Sequence, residues 1–419
     1  MSRAAACRLC GHADLADALL LDEMPVSHYL RKTRDEPDPR FPLQFKSCRG
    51  CGLLQIVDPV PPEVLYRTTD SYLTGFQRPR HIDDLITTAV AYQDPARVVD
   101  IGCNDGALMD ALARYGYAAI VGIEPNRPAA AAAIRAGHVV HQDFLSPGLA
   151  ERLLAEHGAF DTAYLRHVAE HVGDLAGFFA AVRRLLREGG LLVMELPQVE
   201  AGLARGNPAI LWEEHVNYFT EPLAAHLLAR YGFAILDRRH YAFGGGSVAY
   251  LARKEAEPAA VAPPRPQPAL RLTRRFAAGL KRYRAALRRA VAKAKAAGYG
   301  VAMYGAAPRS CMVAGACGIS DTIDHVIDDR VEIQGRLMPG TGREIRSLEA
   351  ASSDVKAPLL CLMGVGCENE YKVRTRLAAR LRAPPVCISL FPPRDTLASI
   401  AAAQAAIAAR PSSQADHSG

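Results

Sequence analysis

The stretch VVDIGCNDGALMDALARYG, residues 98–116, constrains the fold of this chain more than any other segment. An apolar run leads into a turn with two glycines and then into a helical pattern, and this order recurs along residues 76–254. The apolar runs predict strands at 97–102, 119–125, 161–167 and 190–197, with Ala-rich helices between them. Such alternation is typical of a doubly wound parallel sheet, so the predicted fold class is α/β.

The same alternation restarts in the last third of the chain. Apolar runs there predict strands at 300–305, 321–329 and 357–365, after a long basic helix. A chain of 419 residues is too long for one ordinary core. We therefore expect several segments, which are an N-terminal module at 1–75, a central domain at 76–254, an extended Pro/Ala linker at 255–270, a C-terminal α/β domain at 271–395 and a helical or disordered tail at 396–419.

Two matched cysteine pairs lie at the front of the chain, in CRLCGH and CRGCGLL. In each pair a two-residue gap lets both thiolates face one ion, and the glycine that follows permits a tight turn. Four sulfur ligands close a tetrahedral shell, which is the mark of a structural rather than a catalytic zinc site. The predicted zinc ligands are Cys7, Cys10, Cys48 and Cys51.

The charge and the apolar patterning of the chain limit the classes of partner that it is expected to have. The net charge of +6 is mildly basic, and the basic helix around 274–295 has the spread of charge expected of a solvated face, so we expect no nucleic acid partner. No apolar run reaches the ~18–20 residues needed to cross a bilayer. We therefore expect a cytoplasmic protein without a membrane partner, with its ten cysteines reduced or bound to metal, and a monomer rather than an obligate oligomer.

The first glycine turn has the features of a cofactor site. Gly102 and Gly106 let the backbone turn sharply and approach a ligand, and Glu124 ends the next predicted strand. An acidic residue there can accept hydrogen bonds from ribose hydroxyls. Asn104 and Asp105 depart from the dinucleotide pattern G-x-G-x-x-G, which disfavours a nicotinamide-dependent oxidoreductase. An acidic turn repels pyrophosphate but suits the sulfonium and amino groups of S-adenosylmethionine (SAM).

A further carboxylate extends this set. Asp143, in HQDF, lies between the strands predicted at 119–125 and 161–167. A carboxylate there can reach the adenine amino group. The residues predicted to contact SAM are Asp100, Gly102, Cys103, Asn104, Gly106, Glu124, Pro125, Asp143 and His167.

The segment ILWEEHVNYFT, residues 210–220, gathers two carboxylates, a histidine and three aromatic rings. Glu213, Glu214 and His215 are consecutive, and three successive positions of a helix point in widely different directions. A loop lining a cleft beyond the carboxyl edge of the sheet accommodates them better. His167 and His171, in LRHVAEHV, stand at and just beyond the end of the strand predicted at 161–167, and they lie on one face if that segment is helical.

These motifs together resemble the three-domain sugar C-methyltransferases that act on nucleotide-linked 4-keto-deoxysugars. The resemblance covers nearly all of residues 5–395 and rests on CxxCG…CxxCGL, DIGCNDG, HVxEH, EHxxYF and VIDDRVEIQGRLMPGT. It implies a class I methyltransferase Rossmann-like sheet, preceded by the zinc module and followed by a second, Rossmann-like α/β domain.

The resemblance also implies a mechanism, methylation at C3 of a 4-keto sugar. His215 would remove the C3 proton, Glu214 would orient that base, and His171 and Tyr72 would line the acceptor. Trp212 stands where relatives often have Tyr, which replaces a hydroxyl with a stacking surface.

The acceptor side leaves one choice open, since Tyr66 stands in surroundings similar to those of Tyr72. The turn around Arg309 departs from the Lys-Gly that relatives commonly show, which bears on the nucleotide contact. The residues expected to bind the acceptor are Tyr218, Gly245, Gly246, Tyr304, Gly305, Arg309 and Arg336.

Two other functions stay open on the sequence. One is a methyltransferase of the same architecture that acts on a hydroxyl or another acceptor through His215. The other is a nucleic-acid methyltransferase that docks through the zinc module and the basic helix, for which salt-dependent binding would be the signature.

Overall fold

The computed structural model describes residues 6–67, 80–258, 261–355, 358–391 and 395–409, without the side chains of residues 67, 367 and 368. The strands are β1 Leu15–Pro25, β2 Arg40–Cys48, β3 Leu54–Ile56, β4 Arg97–Ile101, β5 Ala119–Ile123, β6 Val139–His141, β7 Phe160–Arg166, β8 Leu186–Pro197, β9 Asn217–Tyr218, β10 Phe233–Tyr241, β11 Ser247–Lys254, β12 Gly300–Tyr304, β13 His325–Ile327, β14 Ile345–Arg346, β15 Leu359–Met363 and β16 Val386–Ser389.

The α-helices are α1 His81–Tyr92, α2 Ala107–Arg114, α3 Arg127–Arg135, α4 Pro147–His157, α5 Leu175–Leu185, α6 Glu200–Arg205, α7 Glu221–Arg230, α8 Gln267–Ala296, α9 Pro308–Cys317, α10 Leu348–Asp354, α11 Cys367–Arg380 and α12 Thr396–Ala409. None of these helices is long and apolar enough to span a membrane.

A seven-stranded sheet in the order β10-β11-β8-β7-β4-β5-β6 forms the centre of the first half of the chain. β4 to β8 pair in parallel, whereas β11 runs antiparallel to both β8 and β10. The central strands are almost wholly apolar because helices cover both faces of the sheet. This is the predicted class I methyltransferase sheet, and its switch point lies between β4 and β7.

The second sheet has the order β14-β13-β12-β15-β16, and all its strand pairs are parallel. The order 3-2-1-4-5 of a Rossmann-like half confirms the predicted second α/β domain. The third sheet has the order β1-β2-β3-β9, and the predicted zinc ligand Cys48 ends its strand β2. In it Leu54 of β3 pairs with Tyr218 of β9, which fixes the segment 213–218 against the N-terminal module.

Two compact units divide the chain. Unit 1 comprises Met1–Leu20, Leu43–Ala201 and Glu213–Arg274, and unit 2 comprises Leu21–Pro42, Gly202–Trp212 and Arg275–Gly419. The five segments predicted from the sequence stay a prediction.

Two predicted elements differ in detail from the structure. The run at 321–329 keeps only the three residues of β13, because a 3₁₀ turn at Ser320–Thr322 precedes it. α8 begins at Gln267, inside the predicted linker, since a proline is tolerated in the first helical turn. Part of the predicted tail is α12, which buries Ile400, Ala403 and Ile407 in the core of unit 2.

Candidate active site

The four predicted zinc ligands converge in unit 1. The Sγ atoms of Cys7 and Cys51 lie 3.6 Å apart, and those of Cys10 and Cys48 lie 3.5 Å apart. Zn–S bonds of about 2.3 Å in a tetrahedron place sulfur atoms roughly 3.7 Å from one another, so the cluster fits one zinc ion. All four donors lie within 4.8 Å of one another and complete the coordination shell, which leaves no open position for catalysis.

The turn after β4 adopts the conformation that its glycines permit. Gly102 and Gly106 have φ angles of 79° and 85°, and Asn104 between them also lies in the left-handed region at 50°. A Cβ atom on Gly102 would come within 2.5 Å of the Val168 side chain. The turn therefore needs glycine for both space and backbone conformation.

Glu124 directly follows β5 and lies beside this turn. Its carboxylate accepts hydrogen bonds from the backbone N–H of Asn104 at 2.9 Å and of Asn126 at 2.7 Å. Burial raises the pKa of Glu124 in spite of these hydrogen bonds. The two amides hold the carboxylate at the carboxyl edge of the sheet, where the sequence placed a ribose contact.

The remaining predicted cofactor residues take different positions. Asp100 is buried at the end of β4, and burial raises the pKa of its carboxyl to about 7. The Cys103 thiol packs toward Gly122 of β5. A contact of Cys103 with the cofactor would therefore use its backbone and not its thiol. A cleft of about 270 Å³ is lined by Pro125, Arg127, Gln142, Asp143 and Phe144.

Unit 1 buries an unusual number of carboxylates, and this tests whether SAM fits. Each of them is at most 6% exposed, and they are Asp100, Glu124, Glu170, Glu195, Glu213 and Glu214. Buried carboxylates are costly without compensating positive charge. Glu170 and Glu195 lie beside cationic side chains of the protein, whereas one buried oxygen of Asp100 has no hydrogen-bond partner among the described residues. A sulfonium cation with an amino group fits beside Asp100 for this reason.

Glu195 at the end of β8 organises one side of this acidic cluster. Its oxygens accept hydrogen bonds from Arg166 Nε at 2.7 Å and from the Ser247 hydroxyl, and lie 2.9 Å from His81 Nε2. Burial opposes ionisation of Glu195, but its contacts with His167 and His81 and the charge of Arg166 prevail and hold its pKa well below its usual range. Arg166, His81 and Glu195 were missed by the sequence reasoning; the only signal was a charged residue inside the apolar run LLVMELP.

His167 bridges two of the buried carboxylates. Its Nδ1 lies 3.4 Å from Glu170 and its Nε2 lies 3.5 Å from Glu195. Burial opposes its protonation, but these two contacts prevail and raise the pKa of His167 to about 9. The φ of His167 is 52°, a conformation that non-glycine residues seldom adopt outside functional sites. The imidazolium at neutral pH is thus a fixed positive charge.

The segment 213–216 is a loop, which confirms the prediction that it is not helical. It brings His215 against His171, with ring centroids 4.9 Å apart and ring planes at 89°. His171 Nδ1 lies 3.7 Å from Glu214 and 3.0 Å from the hydroxyl of Tyr66. Tyr66 therefore contacts His171, whereas Tyr72 lies outside the described residues, so the choice between the two on the acceptor side stays a prediction.

Both histidines are held in the neutral form. Burial and, after it, the neighbouring His171 lower the pKa of His215 to about 3, against the opposing charge of Glu170. Burial also lowers the pKa of His171. Tyr218, which was predicted to bind the acceptor, is buried, and its ring centroid lies 6.2 Å from that of His215.

The glycine-rich turn before β11 lies beside the Glu195 network. Phe243, which opens it, has its ring 5.5 Å from that of His167. Gly245 and Gly246 have φ angles of 100° and 121°, and the Gly246 carbonyl accepts a hydrogen bond from the Gln198 amide at 2.9 Å. The turn that was predicted to contact the acceptor thus borders the same cluster of side chains.

The other predicted acceptor residues belong to unit 2. The Tyr304 hydroxyl donates to Asp329 at 3.0 Å, and Gly305, with φ 97°, packs tightly against the Gly364 carbonyl. The Arg309 guanidinium lies 4.3 Å over the ring of Phe391.

Arg336 and Trp212 complete the predicted residues of unit 2. Arg336 is half-buried and its carbonyl accepts a hydrogen bond from the Ile345 amide. The Trp212 ring lies 6.1 Å from that of His28.

Comparison with known proteins identifies three domain families along the chain. Family models match a zinc binding domain at residues 7–66, a methyltransferase domain at 75–238 and a C-methyltransferase C-terminal domain at 243–363. The C-methyltransferase NovU of Streptomyces niveus is 29% identical over 369 residues, which cover 83% of this chain and 87% of that protein.

Other similarities are partial. A ubiquinone biosynthesis O-methyltransferase of Caulobacter vibrioides is 38% identical over 101 residues, which cover 23% of this chain and 38% of that protein. The solved structure of an S-adenosylmethionine-dependent methyltransferase from Mesorhizobium loti is 16% identical, covers 42% of this chain and 99% of its own, and has a TM-score of 0.34. With a zinc, a methyltransferase and a C-methyltransferase C-terminal module in this order, the chain belongs to the three-domain SAM-dependent C-methyltransferases.

Proposed function

We propose that this enzyme methylates C3 of a nucleotide-activated 4-keto-deoxysugar and that His215 is the base that removes the C3 proton. The observation that carries the proposal is the edge-on contact of His215 with His171, 4.9 Å between ring centroids, in a loop that also holds Glu214. A neutral imidazole that is half-buried and fixed by a second imidazole is suited to proton transfer.

The chemistry of carbon methylation explains why such a base is needed. A sugar C–H bond becomes acidic when a neighbouring carbonyl can take the negative charge, so C3 of a 4-keto sugar is a suitable position. The C3 proton goes to His215, and the electron pair of the broken C–H bond is delocalised onto the keto oxygen as an enolate. SAM, when bound, supplies an electrophilic methyl group on a sulfonium.

The low pKa of His215 describes the site without an acceptor. A base with a pKa of about 3 is neutral at pH 7 but accepts protons weakly. An enolate that forms beside the ring adds a negative charge, which stabilises the imidazolium and raises that pKa during the reaction. Glu170, whose charge already opposes the effect of burial, acts in the same direction.

Neighbouring side chains position this base. Tyr66 contacts His171 Nδ1 at 3.0 Å, and His171 in turn presents its ring edge-on to His215. Glu214 lies 3.7 Å from the same Nδ1 atom and opposes movement of the His171 ring away from the loop. Glu170 and Glu195 hold His167 as an imidazolium, and its positive charge can stabilise an enolate oxygen.

A melting-shift series tests the proposal. The purified protein is heated with S-adenosylhomocysteine (SAH), and then with SAH plus dTDP, UDP, GDP or CDP. A ligand that binds only the native state raises the melting temperature. We expect a shift with SAH and a further shift with one nucleotide; a shift with SAH and none with any nucleotide would contradict a nucleotide-sugar acceptor.

A further inference from the structure

A group of three metal-binding side chains lies on the surface of unit 1. β6 ends at His141 and α4 ends at His157, and the Nε2 atoms of the two imidazoles lie 3.2 Å apart. Glu156 precedes His157 in α4, with one carboxylate oxygen 3.5 Å from His157 Nε2 and the other 3.9 Å from His141 Nε2. None of these residues has a part in the zinc module, the SAM contacts or the proposed base.

The distances match those between ligands of one ion. Zinc binds imidazole nitrogen and carboxylate oxygen at about 2.0–2.2 Å, so neighbouring donors of a tetrahedral site lie roughly 3.3–3.5 Å apart. The two imidazole nitrogens, 3.2 Å apart, and the 3.5 Å from His157 to one Glu156 oxygen lie close to that range, and the other oxygen of the same carboxylate lies 3.9 Å from His141. All three donor atoms lie within 4.8 Å of one another.

The group is open to solution. The side chains of His141, Glu156 and His157 are 25%, 58% and 20% exposed. Arg152 is a positive charge close to His141. Arg152 itself lies 3.5 Å from Asp143, whose carboxylate offsets its positive charge.

We propose that His141, Glu156 and His157 bind one divalent transition-metal ion, such as Zn²⁺ or Ni²⁺, with water completing its coordination. Two imidazoles and a carboxylate are the ligand set that such ions favour. The ion joins β6, the edge strand of the central sheet, to the end of α4.

The bound ion has a structural consequence at the cofactor edge. The backbone carbonyl of His141 accepts hydrogen bonds from the amides of Glu124 at 3.1 Å and Asp143 at 3.0 Å. Fixing the His141 ring therefore also restrains the end of β6, whose last carbonyl holds the backbone of both residues that carry the predicted cofactor carboxylates.

Calorimetric titration of Ni²⁺ into the zinc-loaded full chain tests the site. We expect His157→Gln to bind one ion fewer than the wild type, and Glu156→Gln to bind the same ion at least about tenfold more weakly. His240→Gln is the matched control, because His240 is also an exposed imidazole paired with a glutamate, and it should titrate as the wild type does.

The cluster of Glu170, His171 and His215 is the competing place for the ion. His215→Gln should keep the Ni²⁺ binding that His157→Gln loses. Retention of the full stoichiometry and affinity in His157→Gln, or the absence of Ni²⁺ binding by the wild type, would overturn the proposal. A melting shift with SAH in each variant establishes that the variant is folded.

Discussion

The imidazole rings of His171 and His215 meet edge-on, with centroids 4.9 Å apart and planes at 89°. His171 stands just beyond β7 and His215 lies in the loop before β9, so two remote segments build the pair. Tyr66 anchors the first ring and burial keeps both rings neutral. The pair joins the sheet edge to the loop that carries the proposed base.

Removing the Tyr66 hydroxyl should slow turnover. Tyr66→Phe deprives His171 Nδ1 of a contact at 3.0 Å, and loss of a buried hydrogen bond of this kind should lower kcat roughly 10- to 100-fold. SAH affinity should change little. Steady-state kinetics check this against Tyr117→Phe, which removes a buried hydroxyl 3.4 Å from that of Tyr164 and should leave kcat nearly unchanged. Equal losses in both variants would contradict a positioning role.

Stability should depend on pH through His167. Its pKa in the folded state is about 9, above the ordinary 6.5, so its protonation stabilises the fold. That contribution is complete below about pH 6.5 and is lost as the pH rises through 9. The free energy of unfolding should fall by roughly 1–3 kcal/mol across this range. Urea unfolding at both ends of the range measures it; a His167→Gln variant with the same pH dependence as the wild type would refute the assignment.

Loss of one zinc thiolate should remove the metal and destabilise the protein. In Cys48→Ser the shell loses a sulfur that lies 3.5 Å from the Cys10 sulfur. Because a structural zinc site contributes folding energy directly, we expect bound zinc to be lost and the melting temperature to fall by more than about 5 °C. Elemental analysis and a thermal scan check this, with Cys387→Ser as the control that should retain zinc. Full zinc content in Cys48→Ser would exclude Cys48 as a ligand.

The glycine turn offers a matched pair of variants. Gly102→Ala and Gly137→Ala both place a side chain at positive φ, 79° and 95°. The new Cβ meets Val168 at 2.5 Å in the first variant and no atom within 4 Å in the second. We expect Gly137→Ala to cost about 1 kcal/mol of stability with SAH affinity intact, and Gly102→Ala to weaken SAH binding. Calorimetry with SAH distinguishes them, and equal affinities would show that the Gly102 turn does not contact the cofactor.

The features that were predicted correctly depend on residues that are close together in the sequence. The strand, turn and helix around Gly102 depend on neighbouring residues, and the two cysteine pairs each form a local knuckle. Consecutive Glu213, Glu214 and His215 likewise excluded a helix without knowledge of the rest of the fold.

The features that were missed depend on contacts between distant segments. Tyr66 meets His171 across 105 positions, and His81 meets Glu195 across 114. No period or spacing in the sequence records such pairings, because the sheet brings the segments together only after it has formed. The start of α8 at Gln267 was missed for a different reason, since composition cannot distinguish a Pro-rich linker from a helix whose first turn contains proline.

Exchange of the sugar C3 proton tests the central claim most directly. The enzyme is incubated in D₂O with SAH and a 4-keto-6-deoxy sugar linked to the nucleotide that gives the melting shift, and deuterium at C3 is followed by NMR. We expect the wild type to incorporate deuterium at C3 without methyl transfer, and His215→Gln, with unchanged SAH affinity, to do so at least about 100-fold more slowly. Exchange at the wild-type rate in His215→Gln, or methylation by the wild type on oxygen instead of carbon, would contradict the account.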